Sequence, residues 1–184
     1  MKHPSCREFF AYWDEKRGPS RAPDRSEIEP QAVRELLGDI FVLSYDADNG
    51  FPFRVAGTRV CALFGRDLRD ASFAALFAQG WRREIEEITT VVAEEMLPCI
   101  SGLTAITPRG TPLHLELLLL PFQARAHAPI SLTGLLAPFE APHAPLSELQ
   151  LTSWRYLHRP DRIIPRAIRK LALARGFMVY EGLR

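Results

Sequence analysis

A single segment of strict helical periodicity lies between two groups of strand-like segments, and that order leaves few folds open. Trp81, Ile85, Ile88, Val92 and Met96 step by 4, 3, 4 and 4 residues, which is one apolar stripe of an α-helix. Arg82, Arg83, Glu84, Glu86, Glu87, Glu94 and Glu95 occupy the other face, and Pro98 stops the pattern. Before it, residues 40–45 and 51–55 are short apolar runs joined by Asp46-Ala47-Asp48-Asn49-Gly50. Asn-Gly supplies the positive φ of a tight hairpin turn. After it come three strand-like stretches at residues 99–107, 113–123 and 130–139, the first two joined by Pro108-Arg109-Gly110. Strands, a block of helices, then strands indicate an α+β fold with a five-stranded antiparallel sheet.

The flanks read separately. Ser5 and Glu8 have capping-box spacing. Cys6, Phe9, Phe10 and Trp13 then form an apolar stripe, and Gly18-Pro19 ends that helix. A Pro/Arg-rich loop runs to Glu29, and a short helix over 30–37 opens on Pro30 and closes before Gly38. Residues 57–64 form another short helix ending at Gly65, and a weaker helical piece covers 73–77. Beyond the last strand, 141–145 is Pro-rich, and residues 165–175 read as a helix closed by Gly176. The chain divides into an N-terminal helix and loop (1–29), a central domain (30–140), and a linker with a basic helical tail (141–184).

At 184 residues and 47% hydrophobic, one domain of this size buries a sizeable core. No apolar run reaches the roughly 18 residues that span a bilayer. Three widely separated cysteines suit a reducing compartment, and the N-terminus is polar within a few residues, so a cytoplasmic protein is expected. Net charge is +1, but residues 1–141 carry 15 Lys/Arg against 19 Asp/Glu, and residues 142–184 carry 8 against 3. The body is acidic and the tail basic.

Five strands with helices inserted after the second is the PAS arrangement, and particular residues strengthen it. The string from Gly57 to Leu68 resembles the PAS segment in which a short helix ends in a Leu-Phe-Gly turn, with Gly65 as the left-handed residue. Tyr12-Trp13, Leu36-Leu37-Gly38-Asp39-Ile40-Phe41 and Phe53-Arg54-Val55-Ala56-Gly57-Thr58-Arg59-Val60 are similar to a family of PAS-like proteins of alphaproteobacteria. The resemblance covers roughly residues 9–140. It implies a non-enzymatic sensory module that takes a small ligand or a protein partner and passes a signal to another chain.

Enzyme chemistry is hard to assemble from these residues. The five His show no metal spacing with one another or with the cysteines, and no nucleophile elbow or phosphate-binding loop is present. His114 and Glu116 share one strand face and could do acid–base work in a pocket enzyme, but two polar residues on a wet face explain them as well. The expected inward-facing pocket residues are Phe53, Val55, Phe73, Trp81, Ile85, Ile88, Leu115 and Leu117, which equally suit a filled core. The cofactor is open. Flavin is disfavoured because Cys61 sits in a string unlike the photoreceptor motif, and haem because the long helix has no His.

The fourth strand carries a mismatch. Leu113, Leu115, Leu117 and Leu119 alternate to one face, yet Leu118 and Leu120 follow His114 and Glu116 on the other. Phe9, Phe10 and Trp13 are the expected cover for Leu118 and Leu120, from the same chain or from a second copy in a homodimer. In the tail, Arg162, Arg166, Arg169 and Lys170 beside Ile164, Ile168 and Leu171 give an amphipathic basic helix. Such a helix docks on its own acidic body or binds nucleic acid or a membrane surface.

Overall fold

The computed structural model describes residues 1–46, 48–107, 110–123, 130–142 and 145–157, with the backbone alone of 169–174 and 177–181. Helix α1 (Pro4–Arg17) is followed by short 3-10 turns and by strands β1 (Ile40–Ser44) and β2 (Phe53–Ala56). Helices α2 (Thr58–Phe64) and α3 (Arg82–Glu95) come next. Strands β3 (Cys99–Ile106), β4 (Pro112–Pro121), β5 (Ser131–Pro138), β6 (Leu149–Tyr156), β7 (Arg169–Ala174) and β8 (Phe177–Glu181) complete the chain. They form one sheet in the order β2-β1-β5-β4-β3-β6-β7-β8, every pairing antiparallel.

The five strands expected are therefore the first five of eight. Within the tail, residues 149–156, 169–174 and 177–181 continue the sheet as β6, β7 and β8. Residues 169–174 are a strand, which corrects the helix expected over 165–175. Leu171 and Leu173 alternate with Ala172 and Ala174, and Phe177, Val179 and Tyr180 have strand preference. Gly176, read above as a helix stop, lies outside the described residues, and Ala174 faces Phe177 across β7 and β8. Of the basic-tail residues, Arg162 and Arg166 lie outside the described residues, and Arg169 and Lys170 open β7.

Two apolar layers sandwich the sheet. On the inner face α3 buries Ile85, Ile88 and Val92 against a cluster that includes Phe41, Phe53, Phe73, Phe77, Leu115 and Leu117. Phe73 is the hub of the four rings, with centroids 5.4–5.7 Å from the other three. On the outer face α1 lays Cys6, Phe9 and Trp13 over Leu118, Leu120 and Leu135, and the Trp13 Nε1–H donates to the Pro121 carbonyl at 2.9 Å. Each such fully buried apolar side chain contributes about 1.5–3 kcal/mol as an upper figure. The cover of Leu118 and Leu120 thus comes from the same chain, with Phe10 half-buried at its margin.

Three local details differ from the sequence reading. Helix α1 is capped by His3, whose side chain accepts from the Ser5 N–H at 3.2 Å, and Pro4 fills the first position. The Ser5–Glu8 box is not used, because a Pro at the first helical position already shifts the start. Val55 points outward at 53% exposure, although Phe53 two residues earlier is buried. A bulge between Val42 and Leu43 pairs Val42 with Val55 but Leu43 with Phe53, so Arg54 is the extra residue and alternation breaks there. Glu116 is only 5% exposed rather than on a wet face.

Candidate functional site

Helix α1 packs mainly on β4 and β5 on the outer face, and a cleft of about 510 Å³ lies beside its first residues, over β3, β4 and β6. The strand register fixes its floor. In the middle row Ser153, Gly102 and Glu116 lie side by side across β6, β3 and β4. The row on one side holds Arg155, Ile100 and Leu118, and on the other Thr104 faces His114. Glycine weakens a strand interior and marks a bulge or a place where something must approach the backbone. Here both conditions meet. The ladder shifts between Gly102 and Leu103, leaving Thr152 as the extra residue, and the Thr152 hydroxyl donates to the Gly102 carbonyl at 2.8 Å. A Cβ on Gly102 would lie 2.8 Å from the Ser153 Oγ.

Glu116 forms one wall and anchors α1. Its Oε1 accepts from the Lys2 backbone N–H at 2.7 Å and its Oε2 from that of His3 at 2.8 Å. These donors lie at and just before the helix cap, so one buried carboxylate satisfies two backbone amides that have no partner within the helix. The Cys6 thiol, one turn further on, sits 4.0 Å from the Glu116 carbonyl oxygen. Burial pushes that thiol up, with the adjacent carboxylate adding to it. His114 is exposed and its Nδ1 lies 3.0 Å from the Thr104 hydroxyl. Among the described residues no hydrogen bond joins His114 to Glu116. Lys2, Phe139 and Arg155 complete the rim, and His3 packs edge-on against Phe139.

The residues expected to point into a pocket lie elsewhere. Phe53, Phe73, Ile85, Ile88, Leu115 and Leu117 are buried in the inner cluster, with Trp81 packed half-exposed against it and Val55 outside it. Of those eight only Leu115 also borders the outer cleft. Sequence reasoning missed Lys2, Gly102, Ser153 and Arg155. The one visible signal was Gly102 in mid-strand; Ser153 and Arg155 needed β6, which was read as part of a tail, and Lys2 needed the anchoring of α1 on Glu116. Among the described residues no group of three or more His, Cys, Asp or Glu could hold a metal ion, and no helix is long and apolar enough to cross a membrane.

A five-strand order of β2-β1-β5-β4-β3, helices inserted after β2, and an N-terminal helix on the outer face define a PAS-type fold. A PAS-domain family profile matches residues 1–137, and the chain belongs to that family. It is a PAS-domain protein of the sensory-signalling class. Among solved structures, the PAS domain of a protein from Colwellia psychrerythraea aligns at 11% identity and a TM-score of 0.43, over 60% of this chain and 98% of that one. The Rhodobacter sphaeroides LOV protein aligns at 12% and 0.45, over 78% and 71%. A fungal LOV-domain photoreceptor aligns at 13% and 0.42, over 62% and 94%. No curated protein matches the chain.

Proposed function

We propose that this PAS domain is a non-enzymatic relay: the outer cleft receives a small ligand, and α1 carries the response to another chain. One observation carries the reading. Glu116 is at once a wall of the cleft and the anchor of the Lys2 and His3 amides. An occupant that draws on the Glu116 carboxylate competes with the start of α1, and the cleft floor and the helix cannot respond independently. A loosened α1 bares Phe9, Phe10, Trp13, Leu118 and Leu120, an apolar surface suited to a second copy or to a downstream protein. A cytoplasmic homodimer engaged through this surface belongs to the same proposal.

The inner face supports the choice of the outer one. Its cluster is built of four phenylalanines and aliphatic side chains, and two of its buried polar groups have partners: the Thr89 hydroxyl donates within α3 to the Ile85 carbonyl at 2.9 Å, and Ser101 sits 3.7 Å from the Cys99 thiol. We keep flavin and haem disfavoured on the character of these side chains, which among the described residues are mainly apolar and include no His for axial ligation. The C-terminal reading as a basic helix for nucleic acid or membrane loses its support once residues 169–174 are a strand.

The test is Glu116→Gln followed by hydrogen exchange. The amide group presents N–H towards one of the two amides, so at least one bond is lost, and exchange across residues 5–17 should rise about tenfold while α3 stays protected. Unchanged exchange of α1 in a folded Glu116→Gln protein would overturn the reading.

A further inference from the structure

We infer that the occupant of the outer cleft is a small organic carboxylate, held by Arg155 and Lys2 over the Gly102 floor. The inference rests on the reading above that the cleft is an input site. Lys2 and Arg155 are both exposed, and among the described residues neither side chain is joined to a carboxylate. Among the described residues of the cleft wall the one acid, Glu116, is already committed to the backbone amides of Lys2 and His3. Two cations thus face a cleft in a body where residues 1–141 carry four more acids than bases. A guanidinium holds a carboxylate through two parallel N–H donors.

The spacing favours an organic anion over a bare inorganic one. Arg155 lies across Ile100 from Leu118, and Ser153 lies across the side-chain-free Gly102 from Glu116, so the ends of the cleft are two strand spacings apart. That is about 9–10 Å, too far for one phosphate to span but suited to a short carbon chain. Ile100 and Phe139 offer apolar surface to its body, and the Ser153 hydroxyl and His114 offer hydrogen bonds beyond it. The far end of the ligand meets the Lys2 ammonium, and the Lys2 backbone N–H is held by Glu116, which is how occupancy would reach α1.

The test is a 15N NMR titration of the full chain with sodium succinate, with sodium phosphate in parallel. Saturable shifts are expected at Gly102, Ser153 and Arg155 with succinate, and again at Lys2 and His3. Arg155→Gln should weaken binding about tenfold or more, the loss of a charge-assisted hydrogen bond, whereas Arg66→Gln, an exposed cation on another part of the surface, should leave it unchanged. Absence of saturable shifts with succinate, equal binding of phosphate, or equal weakening by Arg66→Gln would each overturn the inference. Glu116→Gln separates it from the relay reading. If that variant still binds succinate but wild-type α1 does not respond to binding, the carboxylate site stands and the relay falls. If α1 loosens in Glu116→Gln and succinate does not bind the wild type, the relay stands and the carboxylate falls.

Discussion

Asp39 and Arg59, 20 residues apart, close a two-pronged ion pair: Nε donates to Oδ1 at 2.7 Å and Nη2 to Oδ2 at 2.9 Å. The same Nη2 reaches the Glu35 carbonyl at 2.5 Å. Beside the pair, the Gly38 carbonyl accepts from the Arg59 and Val60 amides, capping α2 with backbone instead of a side chain. Gly57 has to be glycine, because a Cβ there would collide with the Leu37 and Gly38 carbonyl oxygens. Two of the strings that carry the family resemblance, around Gly38-Asp39 and around Gly57-Arg59, are thus the two halves of one clasp between β1 and α2.

That clasp gives a modest, measurable stability term. Isolated exposed ion pairs contribute about 0–1 kcal/mol, and Asp39 is the more buried partner of a bidentate pair, at the upper end of that range. Asp39→Ala should cost about 1 kcal/mol by urea denaturation, and the difference from wild type should shrink in 1 M salt. A salt-independent loss would show that Asp39 acts through packing and not through Arg59.

The three thiols should separate by reactivity. Burial pushes Cys99 up to about 12, and burial together with the adjacent Glu116 carboxylate raises Cys6 as well. A raised thiol pKa leaves almost no thiolate at pH 8, and both residues are buried. Cys61 is half-buried on α2. Iodoacetamide at pH 8 should label Cys61 first, and all three only after denaturation. Early labelling of Cys6 would mean that α1 leaves the sheet under native conditions.

The PAS core was legible because each of its elements carries its own period: alternating leucines in β4, a 4-3-4-4 stripe in α3, Gly65 with φ of 63° after α2. What failed was set by partners remote in sequence. Glu116 reads as a wet-face residue until α1 is laid across it from 113 residues away. The cleft needs β6 to sit beside β3, and nothing local in residues 149–156 announces that neighbour. The tail misled because Arg-rich, alanine-containing sequence suits a helix as well as a strand, and pairing with β6 and β8 decides between them.

The bulge in the first hairpin makes a paired prediction. Phe53 and Val55 are two residues apart and would share a face in a regular strand, yet one is buried and the other exposed. Val55→Asp should change stability by no more than about 0.5 kcal/mol. Phe53→Asp should prevent folding by burying a charge without a partner. Similar losses from both would remove the bulge between Val42 and Leu43.

The aromatic centre of the inner layer depends on a residue with no side chain. Phe41 pairs with Gly134 across β1 and β5, and its ring lies against Gly134 so closely that a Cβ there would be 2.0 Å from the ring's Cζ. Phe41 cannot swing away, since Phe53 and Phe73 hold it with centroids at 5.3 and 5.4 Å. Gly134→Ala would ordinarily favour the folded state by restricting the unfolded chain, by about 0.4–1 kcal/mol. Here overpacking of about 1–3 kcal/mol outweighs that gain, so the variant should melt lower than wild type. Phe41→Leu removes the ring that meets the new methyl group, and the double variant Phe41→Leu/Gly134→Ala should lose less than the two single changes added together. Additive losses in that cycle would show that Gly134 is required for the strand backbone and not for the ring beside it.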